Sequence, residues 1–339
     1  MINSYKIMFT MTLMFSTFLT ICANSWLGMW MGLEINLMSF IPLISSKTQR
    51  STEASMKYFI TQASASVVLM ISILYMTMKL TTSSNLLMSV LPETLMLSAI
   101  LLKMGCAPFH FWFPEIVDGL SWLNVCLLMT WQKVAPMIMS MYTLISGKLL
   151  ILSIMSSILI GSLMGLGQTS MRKILAYSSI NHMGWMLSAI MLTESLWLIY
   201  FIVYVLTNTA IILSLTKKNV NKITQMNCLF NNTPENKIFF SMNLMSLGGL
   251  PPFIGFIPKW LTIQMLVETK MIIVTITMIM TTMITLYYYL RISMSLMMIS
   301  HNYSNKINNS KYLPKQWIMV CNCILISLMS LTTLALNWM

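Results

Sequence analysis

The sequence predicts an all-α integral membrane protein, and three observations lead to that class. Of its 339 residues, 57% are hydrophobic and only 8% are charged, whereas a soluble domain carries roughly 25% charged residues. The mean hydropathy is +0.77. The apolar residues form continuous runs of about 20 residues, the length of a membrane-crossing helix, and do not alternate as barrel strands would. We therefore expect a multi-pass bundle of transmembrane helices.

Segmentation of the apolar runs gives eleven predicted spans. The fourth and ninth are longer than a helix needs to cross a hydrocarbon core of ~30 Å, so we expect both to be interrupted. The spans lie at 7–23, 26–45, 56–79, 86–118, 121–146, 149–168, 172–191, 195–216, 238–268, 271–298 and 315–338.

The two long spans share a motif. Gly105–Glu115 and Gly249–Lys259 both read G-x-x-P-F-x-x-x-x-P followed by a charged residue. A proline inside a helix removes a backbone donor and clashes with the preceding turn. In a membrane such a break persists only where it is buried in protein or lines a wet cavity. Matched breaks in two halves of a chain point to an ion or substrate path; the alternative is a pair of ordinary proline kinks.

The position of the breaks predicts an internal repeat. Spans one to five and six to ten each carry the break in their fourth helix, and an odd number of spans inverts the second unit. We therefore divide the chain into a first repeat at 1–147, a second inverted repeat at 148–299, and a loop with a final helix at 300–339. Helices 4 and 9 are the broken ones.

The basic residues predict the orientation. Thirteen lysines and arginines fall on the N-terminal side of the predicted spans, and the opposite side offers only Lys79, Lys148 and Lys270. The positive-inside rule then places the N-terminus in the cytoplasm-like compartment and the C-terminus on the other side. The same rule explains the formal charge of +12, so we expect no nucleic-acid partner.

Other classes of site find no support in the sequence. The six cysteines are scattered without metal-ligand spacing. Gly161–Gly167 contains glycines but follows no predicted strand, so close helix packing explains it better than a nucleotide site. No Arg-rich transit peptide is visible at the N-terminus.

Three lysines remain inside the predicted spans: Lys103, Lys133 and Lys259. Each costs ~2.5–3.5 kcal/mol at a helix centre, which makes an intramembrane lysine a functional candidate. Glu34 is the acidic residue well inside the early spans. Gly28 and Gly32 beside it allow another helix to approach closely, so we expect a direct or water-bridged ion pair between Glu34 and Lys103. The competing interpretation is a purely structural ion pair.

These residues suggest a proton relay. Burial disfavours a charged amine and a nearby carboxylate favours it, so a lysine held between the two influences can gain or lose a proton. His110 lies in the first break and His182 in a later span. Histidine titrates near neutral pH, so both are candidate relay members, and a packing hydrogen bond is the alternative for each.

Four stretches of the sequence carry a family resemblance, namely Lys103–Trp112, Trp131–Pro136, Asn181–Trp185 and Gly248–Phe256. Together they resemble the chain 2 family of mitochondrial NADH:ubiquinone oxidoreductase, a group of membrane-arm subunits of respiratory complex I. The resemblance covers essentially the whole chain, and the methionine excess of 38 residues fits an AT-rich invertebrate mitochondrial genome.

The resemblance implies an antiporter-like, proton-translocating subunit of the mitochondrial inner membrane, with its N-terminus in the matrix and its C-terminus in the intermembrane space. It implies that Glu34 and Lys103 form the charge pair of the first half, that Lys133 is the central relay residue, and that Lys259 is the lysine of the second half. NADH, FMN, iron–sulfur clusters and ubiquinone would be bound by other subunits, and no cofactor by this chain. The expected partners are neighbouring membrane-arm subunits and the lipid bilayer, including cardiolipin. Bacterial counterparts carry three additional N-terminal helices.

Two rival functions share these features. A free-standing secondary cation/proton antiporter would show the same repeats and lysines, and would purify alone rather than with a large NADH-oxidising assembly. A passive scaffold would use the buried charges only to hold helices together, and would keep full pumping after substitution of Lys133.

Overall fold

The computed structural model describes residues 4–46, 48–79, 87–143, 147–218, 220–230 and 234–298. These residues form fourteen α-helices, and within the described part of the chain there is no strand beyond a single bridge between Ser170 and Lys222. The helices are α1 (Ser4–Cys22), α2 (Trp26–Ile44), α3 (Gln49–Lys79), α4 (Leu87–Met104), α5 (Trp112–Gly119), α6 (Trp122–Met129), α7 (Trp131–Tyr142), α8 (Gly147–Leu166), α9 (Met171–Leu192), α10 (Glu194–Lys218), α11 (Ile223–Phe230), α12 (Pro234–Gly248), α13 (Phe256–Glu268) and α14 (Ile272–Met298).

The all-helical prediction is confirmed for the described residues. Ten of the eleven predicted spans lie wholly or largely within them, and the described part of each is helical over most of its length. Among the described residues, six single helices are both long and apolar enough to cross a membrane, namely α1, α2, α3, α8, α10 and α14. The eleventh predicted span at 315–338, and the domain boundary at 300, lie outside the described residues.

Both long spans are broken where the sequence predicts. The first break runs from Gly105 to Phe111 and the second from Gly249 to Gly255, so the two have equal length. Each preceding helix ends on a glycine in the left-handed region, with φ of 73° at Gly105 and 84° at Gly249. This conformation costs a residue with a side chain about 1–2 kcal/mol, which explains the glycines.

The two helix ends also share their hydrogen bonding. The amide of Gly105 donates to Leu102 O at 3.1 Å and that of Cys106 to Leu101 O at 3.1 Å. This is the Schellman arrangement, which satisfies the last carbonyls of a helix. Gly249 and Leu250 make the corresponding bonds at the end of α12. Two breaks of the same length and chemistry argue that the matched motifs encode one local structure twice.

The fifth predicted span is not the continuous helix that we expected over 121–146. It is divided into α6 and α7 at Thr130, whose φ of −111° and ψ of −73° deviate from those of a regular α-helix. Two causes are present. Pro136 cannot donate to the carbonyl of Gln132 and crowds it, and the Thr130 hydroxyl bonds back to Cys126 O at 2.7 Å, a contact that bends helices. Lys133 therefore lies in the first turn after a break.

The connection between α10 and α12 contains a short helix. This helix is α11, and Met226 within it is fully buried. The amide of Met171 donates to Asn221 O at 2.9 Å, which ties the segment before α11 to the start of α9. Residues 221–226 are therefore packed against the helical bundle.

Close helix contact through small residues is confirmed for α8 and α9. A Cβ placed on Gly161 would lie 2.7 Å from the Asn181 amide nitrogen, so the two backbones touch. The pair Gly28 and Gly32 gives a different outcome from the one we expected. A Cβ on Gly32 would lie 3.0 Å from the backbone nitrogen of Thr20 in α1, so this face packs against α1 and not against α4, the helix that carries Lys103.

The buried apolar residues form two clusters. The first contains Phe113 and Leu247, and the second contains Trp185 and Tyr204. Each cluster draws on helices from both halves of the chain. The seam between the two clusters is where the buried lysines lie, as the contacts below show.

Candidate functional site

The three lysines singled out from the sequence are all buried. The exposed fractions are 7% for Lys103, 2% for Lys133 and 5% for Lys259. Lys103 is in the last turn of α4, Lys133 in the first turn of α7, and Lys259 in the first turn of α13. Each therefore lies at a helix end created by a break. Such ends present unpaired backbone groups, so the breaks supply polar surroundings inside an apolar bundle.

Lys103 and Lys133 line one cavity of about 20 Å³, together with Gln132 and Gln62. A cavity of ≳10–15 Å³ holds one water, provided that polar groups surround that water. Polar partners are present, because the Gln132 side-chain nitrogen is buried without a hydrogen-bond partner. Gln62 donates to the backbone carbonyl of Lys103 at 3.3 Å. The cavity therefore has room and donors for a single water between two lysines.

Lys133 is bound on its other side by α10. Its ammonium donates to the hydroxyl of Tyr204 at 3.0 Å. It also lies 5.1 Å from the centre of the Tyr204 ring and 5.3 Å from that of Phe113, both within cation–π range. Because Phe113 belongs to the first apolar cluster and Tyr204 to the second, Lys133 lies at the seam between them.

His182 continues the series beyond Tyr204. The two ring centres are 5.3 Å apart, and His182 Nδ1 shares a hydrogen bond of 2.9 Å with the hydroxyl of Tyr200. Electrostatic interaction reaches His182 from both Lys133 and Lys259. The histidine is 5% exposed, so it is a buried titratable group placed between two buried lysines.

Lys259 is held by the second break. Its ammonium donates to Gly248 O at 2.8 Å and to Leu247 O at 3.1 Å, the free carbonyls at the end of α12. It lies 5.8 Å from the centre of the Trp185 ring. A lysine against the C-terminal carbonyls of a helix also interacts favourably with the helix dipole. A cavity of about 10 Å³ separates His182 from Leu247 at the end of α12 and from the break residue Gly255.

The expected direct ion pair between Glu34 and Lys103 is absent, and that part of the expectation is wrong. Within the described residues, the ion pairs closer than 4.0 Å are Lys57–Glu115 and Lys173–Asp118. Glu34 still acts electrostatically on Lys103, and its Oε1 is buried without a hydrogen-bond partner. The physical reason is the packing described above, because the glycine face of α2 is occupied by α1.

His110 is placed apart from the lysines. It is 3% exposed, its Nδ1 lies 3.3 Å from Pro108 O, and its ring is tilted against Phe111 at 4.4 Å. Each of these contacts is within the first break itself. A local structural role explains them as well as a role in proton transfer does.

Reasoning from sequence missed the polar face of α10. Tyr200, Tyr204 and Asn208 recur every four residues in the largely apolar middle of this helix, so they lie on one side of it. All three are at most 2% exposed. That periodic polar stripe within a membrane helix was the available signal, and it would have identified the side chains that contact Lys133 and His182.

A bundle of apolar helices, two of them interrupted at matched sites beside buried lysines, defines an antiporter-like membrane protein. Sequence comparison agrees with this class. Residues 23–285 match the transmembrane family of NADH:quinone oxidoreductase and Mrp antiporters. NADH-ubiquinone oxidoreductase chain 2 of Anopheles gambiae is 48% identical, covering 89% of this chain and 91% of the relative. The Aedes aegypti protein of the same name is 44% identical over 98% of this chain and 97% of its own length. The chain therefore belongs to the NADH-ubiquinone oxidoreductase chain 2 family.

Solved structures support the same fold at lower identity. A chain of respiratory complex I from Thermus thermophilus with bound aureothin aligns with a TM-score of 0.86 at 22% identity, covering 98% of this chain and 79% of that one. A chain of the Mrp complex from Dietzia aligns with a TM-score of 0.81 at 15% identity, covering 97% and 75%. The fold is thus common to respiratory and Mrp complexes.

Proposed function

We propose that this chain is a proton-translocating membrane subunit of respiratory complex I, and that Lys103, Lys133 and Lys259 carry the protons. The observation that carries this proposal is the connected series of buried polar groups across both halves of the chain. Three buried lysines are costly to a membrane protein. Transfer of protons along this series would explain why the chain tolerates the free-energy cost of burying the lysines.

The proposed architecture is eleven transmembrane helices arranged as two inverted five-helix repeats and one additional helix. The equal length of the two breaks and their shared Schellman closure support the repeat. The lysines themselves occupy different positions in it, because Lys103 precedes its break and Lys259 follows its own. The position of Lys259 is taken in the first half by Glu115, which pairs with Lys57. The two halves would therefore handle charge differently.

The proposed path begins at Glu34, whose carboxylate influences Lys103 without touching it. A proton released by the Lys103 ammonium crosses one water beside Gln132 and is taken up by a neutral Lys133 amine. We include the water-bridged form of the Glu34–Lys103 interaction in this path. Lys103 is left as a free amine, ready to be reprotonated when Glu34 favours its charged form.

The second half of the path uses groups from α9 and α10. Lys133 already donates to the Tyr204 hydroxyl, so a proton can pass along this bond while Tyr204 releases its own towards His182. From His182 the path follows the cavity of about 10 Å³ that Leu247 and Pro258 also line, and it then reaches Lys259, whose ammonium donates to Leu247 O. Tyr204 regains its proton when the hydroxyl reorients, so the tyrosine is unchanged by a complete cycle. His110 would serve the first break as an additional exchange site.

The placement in the cell and the partners belong to the same proposal. The chain would lie in the mitochondrial inner membrane with its N-terminus in the matrix and its C-terminus in the intermembrane space. Other subunits would hold NADH, FMN, iron–sulfur clusters and ubiquinone, and neighbouring membrane-arm subunits together with lipids such as cardiolipin would surround this one. Redox energy would reach the lysines through changes in the position of their partners.

The decisive experiment substitutes Lys133 in the assembled complex. Moving one proton against the membrane potential costs roughly 2.3 kcal/mol per 100 mV, so a relay residue must change its proton affinity by a comparable amount. Lys133→Ala holds no proton, and Lys133→Arg keeps a charge that cannot be released. Both variants should lower ΔpH formation and NADH:quinone turnover in membranes. If Lys133→Arg pumps protons at the wild-type rate, the charge of Lys133 has only a structural role, as the scaffold hypothesis requires.

Isolation in mild detergent separates the remaining alternative. A subunit of complex I should co-migrate with a very large NADH-oxidising assembly, whereas a free-standing cation/proton antiporter should purify by itself. The insect relatives, which bear the name of the oxidoreductase, favour the first result.

A further inference from the structure

A second cavity lies away from the lysines, where α8, α9, α13 and α14 meet. Its volume is about 230 Å³, larger than the apolar cavity of about 150 Å³ that accommodates benzene in an engineered protein. Its walls include Ile154, Leu266 and Val274. The lining residues come from the start of α8, the end of α9, the end of α13 and the start of α14, so the cavity lies at one end of the bundle.

The wall of this cavity is apolar in its chemistry. Only Ser188 and Thr269 among the lining residues carry a hydroxyl, and both hydroxyls are engaged within their own helices. Ser188 donates to Trp185 O at 2.8 Å, and Thr269 donates to Leu266 O at 3.1 Å. No lining group among the described residues is therefore left to hold a polar ligand. Hydrocarbon is the chemistry that fits.

The surface beside the cavity is also apolar. Ile273 is 76% exposed and Val267 is 55% exposed, and each is next to a lining residue in the chain. In a membrane protein such side chains face acyl chains or a neighbouring protein. Hydrocarbon from the bilayer can thus reach the cavity along its flank.

Two lysines are close in the chain to residues that line the cavity. Lys270 separates the lining residues Thr269 and Met271, and Lys148 is one turn before the lining residue Ile151. Lys270 has a φ of 60° because it closes α13 in a Schellman arrangement: its amide donates to Val267 O at 3.0 Å, and that of Met271 donates to Leu266 O at 3.0 Å. Both are among the few basic residues on this side of the chain. Glu194 and Glu268 also lie at this end, so it offers cations for a phosphate without being strongly basic.

We propose that this cavity receives an acyl chain of a membrane phospholipid whose phosphate is held by Lys148 and Lys270. The proposal places a structural lipid on the side of the protein opposite the N-terminus. It is independent of the lysine relay, because none of the cavity residues contacts Lys103, Lys133 or Lys259 in the hydrogen bonds and ring contacts described for them.

The test uses the full chain in mild detergent with a phosphatidylethanolamine that carries a diazirine at the end of one acyl chain. After photolysis, labelled peptides are mapped by mass spectrometry. We expect adducts on 151–154, 188–192 and 266–274. Filling the cavity with Val274→Phe should lower this labelling about tenfold, the change expected when about two buried methylene groups lose their contacts. Ile273→Phe is the matched control, because the same change at the adjacent, outward-facing residue should preserve labelling.

The headgroup is tested separately. Lys148→Gln and Lys270→Asn should each lower labelling about fivefold, the effect of one lysine near a membrane surface. Asparagine is chosen at position 270 because it tolerates positive φ. Lys222→Gln, an exposed lysine elsewhere on the chain, is the control. A diacylglycerol probe with the same acyl chain but no phosphate should label as weakly as the lysine variants.

Two results would overturn the proposal. Equal labelling of Val274→Phe and Ile273→Phe would show that the acyl chain does not enter the cavity. Equal labelling by the diacylglycerol and phospholipid probes would show that no phosphate is bound. If thermal unfolding shows that Val274→Phe is not folded, Met271→Phe at the edge of the cavity serves as a second variant that fills it.

Discussion

The Lys133 ammonium donates its hydrogen bond to the hydroxyl of Tyr204 over 3.0 Å, a contact that joins the first half of the chain to the second. The two residues come from α7 and α10, on either side of the proposed repeat boundary. Among the described residues, the Lys133 side chain makes no second hydrogen bond. The Tyr204 hydroxyl is therefore the direct link between the central lysine and α10, and the Tyr204 ring in turn lies 5.3 Å from the ring of His182 in α9.

Tyr204→Phe removes the hydroxyl and keeps the ring, so it distinguishes the contributions of the two groups. The phenyl ring keeps its packing and its cation–π contact with Lys133, so assembly should be retained. A hydrogen bond to a charged group is worth about 1.5–3 kcal/mol, and its loss should lower ΔpH formation and turnover at least about tenfold if Tyr204 carries the proton. The measurement is NADH:quinone turnover and ΔpH formation in membranes. Tyr287→Phe, at a tyrosine that is 61% exposed, should have no effect, and unchanged pumping by Tyr204→Phe would exclude the tyrosine from the path.

Glu34→Gln should reveal how the acidic residue acts. Because Glu34 does not touch Lys103 but acts on it electrostatically, we expect it to work only through that lysine. Glu34→Gln alone should lower turnover several-fold. The double variant with Lys103→Gln should be no worse than Lys103→Gln alone, since sites that act in one series are not additive. Glu53→Gln, at an exposed carboxylate in α3, is the control, and additive losses would indicate that Glu34 has a separate role.

Gly249→Ala should damage the second break. Gly249 has a φ of 84°, and an added Cβ would lie 2.8 Å from Cδ and 3.0 Å from Nζ of Lys259. The backbone strain alone is of order 1–3 kcal/mol, and the lysine would be displaced from Leu247 and Gly248. We expect a lower midpoint of thermal unfolding together with lower turnover. Gly167→Ala, where a Cβ meets nothing within 4 Å, should change neither, and a neutral Gly249→Ala would contradict the described break.

Much of the fold could be predicted because its determinants are local. Apolar run length defines the spans, and the Gly and Pro residues of 105–114 and 249–258 have backbone requirements that act wherever the chain places them. The burial of the three lysines followed from their depth in apolar runs. The break at Thr130 was predictable in principle from Pro136, because a proline four residues after Gln132 removes that carbonyl's partner.

The partners of the lysines could not be predicted in the same way. Whether Lys133 meets Tyr204 depends on how α7 and α10 are rotated against each other, and such rotations follow from packing over the whole bundle. The direct Glu34–Lys103 ion pair is absent for this reason, whereas the water-bridged form stays a prediction. Gly28 and Gly32 correctly indicate a close helix contact, but the helix that packs there is α1. The spacing of small residues does not identify which helix will be the neighbour.

The remaining prediction concerns Gln132, whose side-chain nitrogen is buried without a partner in the cavity shared by Lys103 and Lys133. An unpaired buried amide costs about 1–3 kcal/mol, and a water in this cavity of about 20 Å³ would satisfy it while bridging the two lysines. Gln132→Met retains the length of the side chain but removes its donors, so the water should lose a partner and the transfer between lysines should slow. We expect thermal stability to be unchanged or higher, because the buried amide is gone, while ΔpH formation and NADH:quinone turnover fall several-fold. That opposite movement of stability and activity distinguishes a transfer defect from a folding defect. Gln264→Met, at an exposed glutamine in α13, should leave both quantities unchanged. Full pumping by Gln132→Met would mean that protons pass between Lys103 and Lys133 without the help of this side chain.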